Sequence, residues 1–363
     1  MRKALQAGVA LAAVALLAAG CAQPSSTSTT TTTPAFKACM VTDTGGINDK
    51  SFNQSSWEGM QAAASASGGK ITVKYLPSTS TSDYAKNIST FISQKCGVIV
   101  TVGFLMGAST EAAAKANPKQ KFAIVDCSYS SGCLTGAKEP NINQLVYNTA
   151  QDAFLGGYLA AGMTKTGKVA TYGGMKFGTV TIYMDGFWDG VQYYNKQHNK
   201  NVQVLGWSYP SQNGTFAGSF TNISAGQTIA NTFIHDGADI IFPVAGGVGL
   251  GSAKAIQTAN NSGKNIGMFW VDTDGCVSAA TYCKYFVTSV EKGISTSVKA
   301  AVLDASKGKS GGSYVGTLSN GGAVLAPFHD YASKVPASLQ SELNTVKQDI
   351  ISGKIVPQTK SPV

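Results

Sequence analysis

The stretch Val41-Thr-Asp-Thr-Gly-Gly-Ile-Asn-Asp-Lys-Ser-Phe-Asn-Gln-Ser-Ser-Trp57 decides the fold, because it joins an apolar segment to a helical one through a glycine turn. The residues before it, Phe36–Val41, form a short segment with an apolar centre, which predicts a buried strand. Gly45 and Gly46 permit positive φ angles and hence a tight turn. Phe52–Ala66 then carries apolar residues at helical spacing. The stretch is therefore predicted to be a βα loop.

Polar and aromatic side chains lie where such a loop would meet a ligand. Asp43 follows the strand, and Asp49 or Ser51 is placed to cap the helix. Ligands of open α/β sheets bind outside the carboxyl ends of the strands, so we expect Asp43, Phe52 and Asn53 to face a crevice. A plain turn role for Asp43 and core packing for Phe52 stay open as alternatives.

The N-terminus has the pattern of an export signal. Arg2 and Lys3 precede an apolar run that ends abruptly at Gly20-Cys21. We expect residues 1–21 to be a lipoprotein signal with Cys21 as the lipidated residue; an ordinary cleaved signal with an incidental Cys21 is the alternative. Residues 22–35 are rich in Ser and Thr and predict a flexible tether. The expected location is the cell membrane, with a lipid anchor on the extracytoplasmic face.

Length and charge limit the classes of function. The 363 residues are enough for two domains, and 43% apolar content favours buried cores. Without Arg2 and Lys3 the chain keeps 26 basic residues, all of them Lys, against 19 acidic ones, a net charge of +7. Nucleic-acid readers favour Arg and clustered basic faces, whereas these lysines are dispersed. No nucleic acid is therefore expected as a partner.

Six of the seven cysteines remain once Cys21 is assigned to lipid, an even number that suits three disulfides in an oxidising compartment. Fifteen pairings are possible in principle. The short loops favour Cys127–Cys133 and Cys276–Cys283, and Cys39–Cys96 would join strands that a sheet of order 2-1-3 places side by side. A metal site is disfavoured, because no Cys-x-x-Cys occurs and the three histidines lie far from these cysteines in sequence.

Strand-like and helical segments alternate along most of the chain. Strands are predicted at Ile71–Tyr75, Gly97–Val102 and Lys121–Val125, with helices between them, which indicates parallel strands joined by crossovers. A second alternating series runs from Lys168 to Val271. The fold class is therefore predicted as α/β with two lobes, each a mostly parallel sheet flanked by helices.

The chain is expected to cross between the lobes three times. Residues 36–148 and 276–310 are assigned to the N-terminal lobe, and residues 149–275 and 311–363 to the C-terminal lobe. Gly308–Gly322 is interpreted as a glycine-rich run that precedes the final helix. Two lobes joined by several crossings make a clamshell, which closes around a ligand by hinge motion.

Further candidate ligand residues lie on later βα loops. Asp126 and Asp272 each end a predicted strand and so belong on the same rim as Asp43. Phe220 lies in a loop rich in Gly, Ser and Asn, where a bare aromatic side chain is unexpected. The glycine loop Val244–Gly251 permits close approach of its backbone to a bound group. Purely structural roles stay open for these aspartates and for Phe220.

The mature chain resembles the basic membrane protein family of substrate-binding lipoproteins, and is similar to the purine-nucleoside receptors of ABC transporters. The resemblance is carried by these motifs in order: Asp43-Thr-Gly-Gly-Ile-Asn-Asp-Lys-Ser-Phe-Asn-Gln54 with Trp57-Glu-Gly59, Ile124-Val-Asp126, Gly186-Phe187 with Gly190, Gly218-Ser-Phe220, Gly237-Ala-Asp239 through Val244-Ala-Gly-Gly247, and Val271-Asp272-Thr-Asp274. It implies the type I periplasmic-binding-protein fold and an ABC permease as partner. Two features depart from the family pattern: the cysteine-bounded inserts after Asp126 and Asp272, and the Gly173–Val180 loop, which lacks the usual Pro.

The resemblance also implies a role for each candidate residue. Phe52 and Phe220 would lie on either side of a nucleobase, and Asp43 and Asn53 would meet the edge of the base. The remaining residues would bind the sugar or complete its surroundings: Asp272 as acceptor for the ribose hydroxyls, Lys292 as donor, and Asp126 with the Gly246 backbone around them.

A binding receptor is the expected function, since the sequence offers no catalytic triad, metal cluster or paired-acid motif of known spacing. No cofactor is expected, and the protein is expected to be a monomer. Three alternatives stay open: a clamshell receptor for a sugar or a sugar-like signalling ligand, a nucleoside-cleaving enzyme, and a structural adhesin.

Overall fold

The computed structural model of the protein describes residues 35–361 and residue 363. The predicted signal, the lipidated Cys21 and the tether up to residue 34 lie outside the described residues. The strands are β1 (Phe36–Thr44), β2 (Ile71–Ser78), β3 (Val98–Val102), β4 (Lys121–Val125), β5 (Ile142–Tyr147), β6 (Lys168–Gly173), β7 (Gln203–Leu205), β8 (Trp207–Ser208), β9 (Asn213–Gly214), β10 (Ile240–Val244), β11 (Gly267–Asp272), β12 (Phe286–Lys292), β13 (Gly312–Gly316) and β14 (Ala323–Leu325). The α-helices are α1 (Phe52–Ala66), α2 (Asp83–Ser93), α3 (Gly107–Ala116), α4 (Ala150–Met163), α5 (Gly178–His198), α6 (Ile223–His235), α7 (Gly249–Asn261), α8 (Gly275–Ser278), α9 (Ile294–Ser306) and α10 (Ala337–Ile351).

The first lobe is built on a six-stranded sheet of order β13-β5-β4-β3-β1-β2 in which all neighbouring strands are parallel. Its central strand β3 has the sequence Val-Ile-Val-Thr-Val, and all five residues are buried. A continuous apolar run of this kind is typical of a parallel strand that is covered by helices on both faces. In the observed strand order, β1 lies between β2 and β3, so the order 2-1-3 that was predicted from the sequence is confirmed.

The second lobe has its own six-stranded sheet, of order β14-β12-β11-β10-β6-β7. Its strands are parallel except for β14, which pairs with β12 in antiparallel fashion. Helices α4 and α5 pack closely on it, and a Cβ atom at Gly157 or Gly190 would overlap the backbone of the facing helix. Glycine at these two positions thus lets the helices approach and cover one face of the sheet.

Three chain crossings join the lobes, as the sequence analysis expected, but two of the predicted boundaries are wrong. The stretch from Cys276 to Lys292 belongs to the second lobe, because β12 pairs in parallel with β11. The glycine-rich run Gly308–Gly322 contains the strand β13, which pairs with β5 of the first lobe. The crossings therefore lie at Asn148, at Gly293 and between Gly316 and Ala323.

The six cysteines form the disulfides Cys39–Cys96, Cys127–Cys133 and Cys276–Cys283. The first bridge spans 57 residues of sequence and restricts the unfolded chain most, because the loss of chain entropy grows with the size of the closed loop. The two short bridges close loops directly after β4 and β11. Among the helices of residues 35–361, none is both long and apolar enough to cross a membrane.

Candidate functional site

A cleft between the two lobes contains about 650 Å³ of space that protein atoms do not occupy, part of it open to solvent. Its wall contains all eight ligand residues that the sequence analysis singled out: Asp43, Phe52, Asn53, Asp126, Phe220, Gly246, Asp272 and Lys292. The walls come from the carboxyl ends of the strands in both sheets, because parallel strands gather those ends at one edge. Two parts of the cleft differ in chemistry: the Asp43 end (Asp43, Asp49 and Asn53) and the Lys292 end (Asp126, Asp272 and Lys292).

At the Asp43 end, a buried carboxylate is held by a neighbouring amide. The Asn53 Nδ2 atom donates to Asp43 Oδ1 at 2.8 Å. Burial raises the pKa of Asp43 to about 8; the Asn53 bond opposes this rise, and the charge of Asp49 adds to it. Gly103 packs against the same carboxylate, and a Cβ atom there would overlap it. The end thus presents an amide and a carboxyl group that gains or loses a proton within the physiological range.

Asp49 caps the helix that carries Phe52 and Asn53. Its carboxylate accepts backbone N–H bonds from Ser51 at 3.1 Å, Asn53 at 2.8 Å and Gln54 at 3.0 Å. Such bonds satisfy the free N–H groups of the first helical turn. Burial raises the pKa of Asp49 to about 6 against the opposing effect of these bonds. Of the two caps that the sequence allowed, Asp49 is the one that forms, and its side chain also lines the cleft.

Asp126 and Asp272 occupy equivalent places in the two lobes, each directly at the end of a central strand. Both have left-handed backbone conformations, with φ of +61° and +69°. This conformation is costly for residues other than Gly, although Asp and Asn tolerate it better than most. Such strain is found at functional sites, where the surrounding structure fixes the side chain in a required direction.

Lys292 lies between these two aspartates, and only 4% of its side chain is exposed. Its Nζ atom forms an ion pair with Asp126 Oδ2 and lies 3.6 Å from Asp272 Oδ1. Burial alone would lower the pKa of Lys292, but the charges of Asp126 and Asp272 outweigh it and the pKa is raised. Burial raises the pKa of Asp126 to about 6 even though the Lys292 charge opposes the rise. At neutral pH both partners are therefore charged.

Asp272 has further partners. Its Oδ2 atom accepts the Ser51 hydroxyl at 2.8 Å, and its Oδ1 atom accepts the Tyr183 hydroxyl at 3.1 Å. A carboxylate has about four lone-pair positions, so these contacts and Lys292 leave room for a bond from a bound hydroxyl. The sequence analysis missed Tyr183, which lies in the second turn of α5 at a buried position that looks like core.

Aromatic rings form much of the remaining wall. Phe52 stands beside the ammonium group of Lys292, with 5.3 Å between Nζ and the ring centre. On the opposite lobe Phe220 approaches Gly174, where a Cβ atom would overlap its ring. A glycine at position 174 is therefore needed for Phe220 to reach the cleft.

Two rings that the sequence analysis did not select extend this wall. Phe104 of the first lobe stacks on Phe177 of the second, with ring centres 5.1 Å apart and planes at 16°. Phe177 in turn lies 6.4 Å from Phe220 at 28°. Phe177 lies in the Gly173–Val180 segment. The departure of this segment from the family pattern was the sequence signal that could have pointed to Phe177.

The glycine loop contributes backbone rather than side chains. Gly246 has φ of +53° and begins a short 3-10 helix, Gly246–Val248, that leads into α7. Gly246 and Gly247 both line the cleft. At Gly251 a Cβ atom would overlap the backbone of Ile223, so this third glycine serves the packing of α7 on α6.

Outside the cleft, Asp274, Cys276 and His329 lie close enough together to suggest a metal site. Cys276 is bonded to Cys283, however, and a disulfide sulfur is not a thiolate ligand. His329 Nε2 lies 2.6 Å from Asp274 Oδ2, so the two remaining groups satisfy each other. The residues present do not fit a metal ion.

Comparison with known proteins shows the family and the fold that this chain resembles. Residues 36–361 match the family model described as ABC transporter substrate-binding protein PnrA-like. The chain is 31% identical to the ABC transporter nucleoside-binding protein BmpA of Lactococcus lactis, over 97% of each chain. It is 27% identical to basic membrane protein A of Borreliella afzelii, over 89% of this chain and 92% of the relative. A solved solute-binding protein of an ABC transporter system from Aeropyrum pernix superposes with a TM-score of 0.78 at 23% identity, covering 90% of this chain and 94% of that one.

Proposed function

This chain belongs to the PnrA-like family of ABC transporter substrate-binding proteins, and from that membership we propose that it binds a purine nucleoside in the cleft between its lobes. The observation that carries the proposal is the combination of Phe52 and Phe220 with buried aspartates at both ends of one cleft. The name of the Lactococcus lactis relative as a nucleoside-binding protein supports it.

In the proposed complex the base lies between Phe52 and Phe220. Stacking on an aromatic side chain contributes on the order of 1–3 kcal/mol per base and tolerates different bases. Asn53 and Asp43 meet the polar edge of the base, with Asp43 able to donate or accept according to its protonation. This end of the cleft thus selects a flat ring with polar groups along one edge.

The ribose lies at the Lys292 end. Asp272 accepts bonds from the ribose hydroxyls, and charge-assisted bonds of this type are about twice as strong as neutral ones. Lys292 donates to the sugar while it stays paired with Asp126. The Gly246 backbone, which lines the same cleft, completes the surroundings of the sugar.

The charges of the cleft favour a nucleoside over a nucleotide. Four acidic side chains line it, those of Asp43, Asp49, Asp126 and Asp272; Asp43 is mostly protonated at neutral pH, so the other three supply the carboxylates, and Lys292 is the one cation among the described lining residues. A phosphate would meet these carboxylates without a free cation, and like charges brought together cost several kcal/mol. We expect nucleoside 5′-monophosphates to bind at least about tenfold more weakly than the nucleosides.

We further propose that the protein is anchored by lipid at Cys21 on the extracytoplasmic face and delivers its ligand to an ABC permease. The charged start, the apolar run and the abrupt Gly20-Cys21 end support the anchor. A Cys21→Ser protein should leave the membrane fraction of cells, and one that stays membrane-bound would contradict the proposal.

A receptor for a free sugar is the second candidate, because Asp272 and Lys292 would serve sugar hydroxyls equally well. A free sugar, however, has no planar ring that Phe52 and Phe220 could enclose. Native mass spectrometry of the freshly purified protein, followed by thermal unfolding with nucleosides, free bases and sugars, distinguishes the two. A ligand that binds only the folded state raises its stability by RT ln(1 + [L]/Kd), so purine nucleosides should raise the melting temperature. A rise with a free sugar and none with any nucleoside would favour the sugar receptor.

A further inference from the structure

The segment Lys50-Ser51 of the first lobe forms hydrogen bonds with the second lobe. The Lys50 carbonyl accepts the Trp270 indole N–H at 3.0 Å and the Ser278 hydroxyl at 2.8 Å. The Ser51 hydroxyl lies 3.0 Å from the Val271 carbonyl and 2.8 Å from Asp272 Oδ2. These contacts cross the cleft, so they exist only when the lobes are closed.

The backbone is arranged to present this segment. Lys50 has φ of +62°, a conformation that is costly for a side chain of this kind and turns its carbonyl toward the second lobe. Asp49 supplies the cap of α1, and the Ser51 side chain makes no cap bond. The Ser51 hydroxyl is therefore free to act across the cleft, where it is fully buried.

The contact with Asp272 has the larger consequence. A serine hydroxyl can donate only one hydrogen bond at a time. A hydrogen bond to a carboxylate is stronger than one to a carbonyl, so Ser51 donates mainly to Asp272 and not to the Val271 carbonyl. Tyr183 and Lys292 hold the other oxygen, Asp272 Oδ1. With Ser51 in place both oxygens of Asp272 are fixed in direction; when the lobes part, the Oδ2 atom loses this partner.

We propose that Ser51 is a positioning residue that completes Asp272 from the opposite lobe, so that recognition of the ligand hydroxyls depends on closure. The inference rests on the proposed function, in which Asp272 accepts the ribose hydroxyls. A ligand without those hydroxyls, such as a free base, closes the cleft without making use of this effect. Ser51 thereby couples the choice of ligand to the conformation of the receptor.

The test compares Ser51→Ala with Ser278→Ala, since both variants remove a hydroxyl that crosses the cleft and only the first one touches Asp272. Calorimetry with guanosine and guanine should show that Ser51→Ala lowers the preference for the nucleoside about tenfold. Ser278→Ala should weaken both ligands equally and leave the preference unchanged. An unchanged preference in Ser51→Ala, or an equal loss of preference in both variants, would overturn the inference.

A second measurement needs no ligand. Small-angle scattering of the unliganded proteins should give a larger radius of gyration for Ser51→Ala than for the wild type, because the closed form loses a charge-assisted bond. A wild-type protein that binds no nucleoside would refute the proposed function, and the scattering comparison would still decide whether the Ser51 hydroxyl holds the lobes together, which is the part of the inference that does not depend on the ligand. A Ser51→Ala protein as compact as the wild type would then overturn it.

Discussion

The two ends of the cleft bury carboxylates in opposite ways. At the Asp43 end an amide is the close partner, the three residues of that end include no cation, and the pKa of Asp43 rises to about 8. At the Lys292 end an ammonium group lies between Asp126 and Asp272. A buried charge must be neutralised or paired, and this protein does the first at one end and the second at the other.

The difference suits two kinds of ligand group. A carboxyl group that changes protonation near neutral pH can either donate to an acceptor or accept from a donor, which suits the varied edges of nucleobases. A carboxylate paired with Lys292 accepts hydrogen bonds, which suits hydroxyl groups. We therefore expect the Asp43 end to tolerate several bases and the Lys292 end to demand a sugar.

The largest expected effect comes from removing the pairing charge. Lys292→Met leaves Asp126 and Asp272 facing each other in a closed cleft, and an unpaired buried charge costs about 3–5 kcal/mol. In the open form water can solvate both carboxylates, so the cost falls mainly on the closed, liganded state. We expect guanosine affinity to fall on the order of 100- to 1,000-fold in calorimetry.

Lys254→Met is the matched control, because Lys254 is an exposed lysine on α7 that does not line the cleft. It should bind like the wild type. If Lys292→Met kept its affinity to within a factor of about three, the two ends would not differ in the way described.

A smaller effect separates sugar recognition from base recognition. Asp272→Ala removes the acceptor for the sugar hydroxyls, and Phe220→Ala removes one face of the stack. Each should cost on the order of 1–3 kcal/mol, or roughly 5- to 150-fold in affinity. The preference for nucleoside over free base should collapse only in Asp272→Ala, whereas Phe220→Ala should weaken both ligands together. Full retention of the preference in Asp272→Ala would place the sugar elsewhere.

The titration of Asp43 should appear in the pH dependence of the free energy of unfolding. Asp43 loses its proton near pH 3.8 in the unfolded chain and near pH 8 in the folded protein. Between these values the folded state holds more protons, so its stability falls as the pH rises, by at most about 1.4 kcal/mol per pH unit for one group.

Burial also raises the pKa values of Asp49 and Asp126, so part of the slope of the wild type belongs to them. Asp43→Asn isolates the share of Asp43. Denaturant unfolding of the unliganded variant should give a shallower decline between pH 6 and pH 8, and equal slopes in the two proteins would refute the raised pKa.

Much of this arrangement could be predicted from sequence because it depends on local signals. Asp43, Asp126 and Asp272 each follow an apolar run, and parallel strands bring such positions to one edge. Phe52 and Phe220 stood out as aromatic side chains in polar surroundings. These signals lie within a few residues of the side chain concerned.

What could not be predicted depends on distant partners. Strand β13 lies in a glycine-rich run of low strand propensity and forms because β5 offers a parallel edge. The assignment of β12 to the second lobe likewise depends on its pairing with β11. Ser51 looks like a helix cap from its neighbours, and only the closed fold shows that its hydroxyl reaches Asp272.

The smallest expected effect concerns the ring pair Phe104–Phe177, which belongs to neither end of the cleft and stacks across it. Because the two rings meet only in the closed form, their contact should appear in ligand affinity as a coupling of about 0.5–1.5 kcal/mol in a double-mutant cycle with Phe104→Ala and Phe177→Ala. Trp188 and Tyr209 make the matched control, since they stack at 5.5 Å within the second lobe and away from the cleft. Their cycle should show coupling in unfolding free energy and none in guanosine affinity. A Phe104–Phe177 cycle without coupling in affinity would mean that this ring pair does not contribute to closure, which would then be held by the two ends of the cleft together with the Lys50-Ser51 contacts.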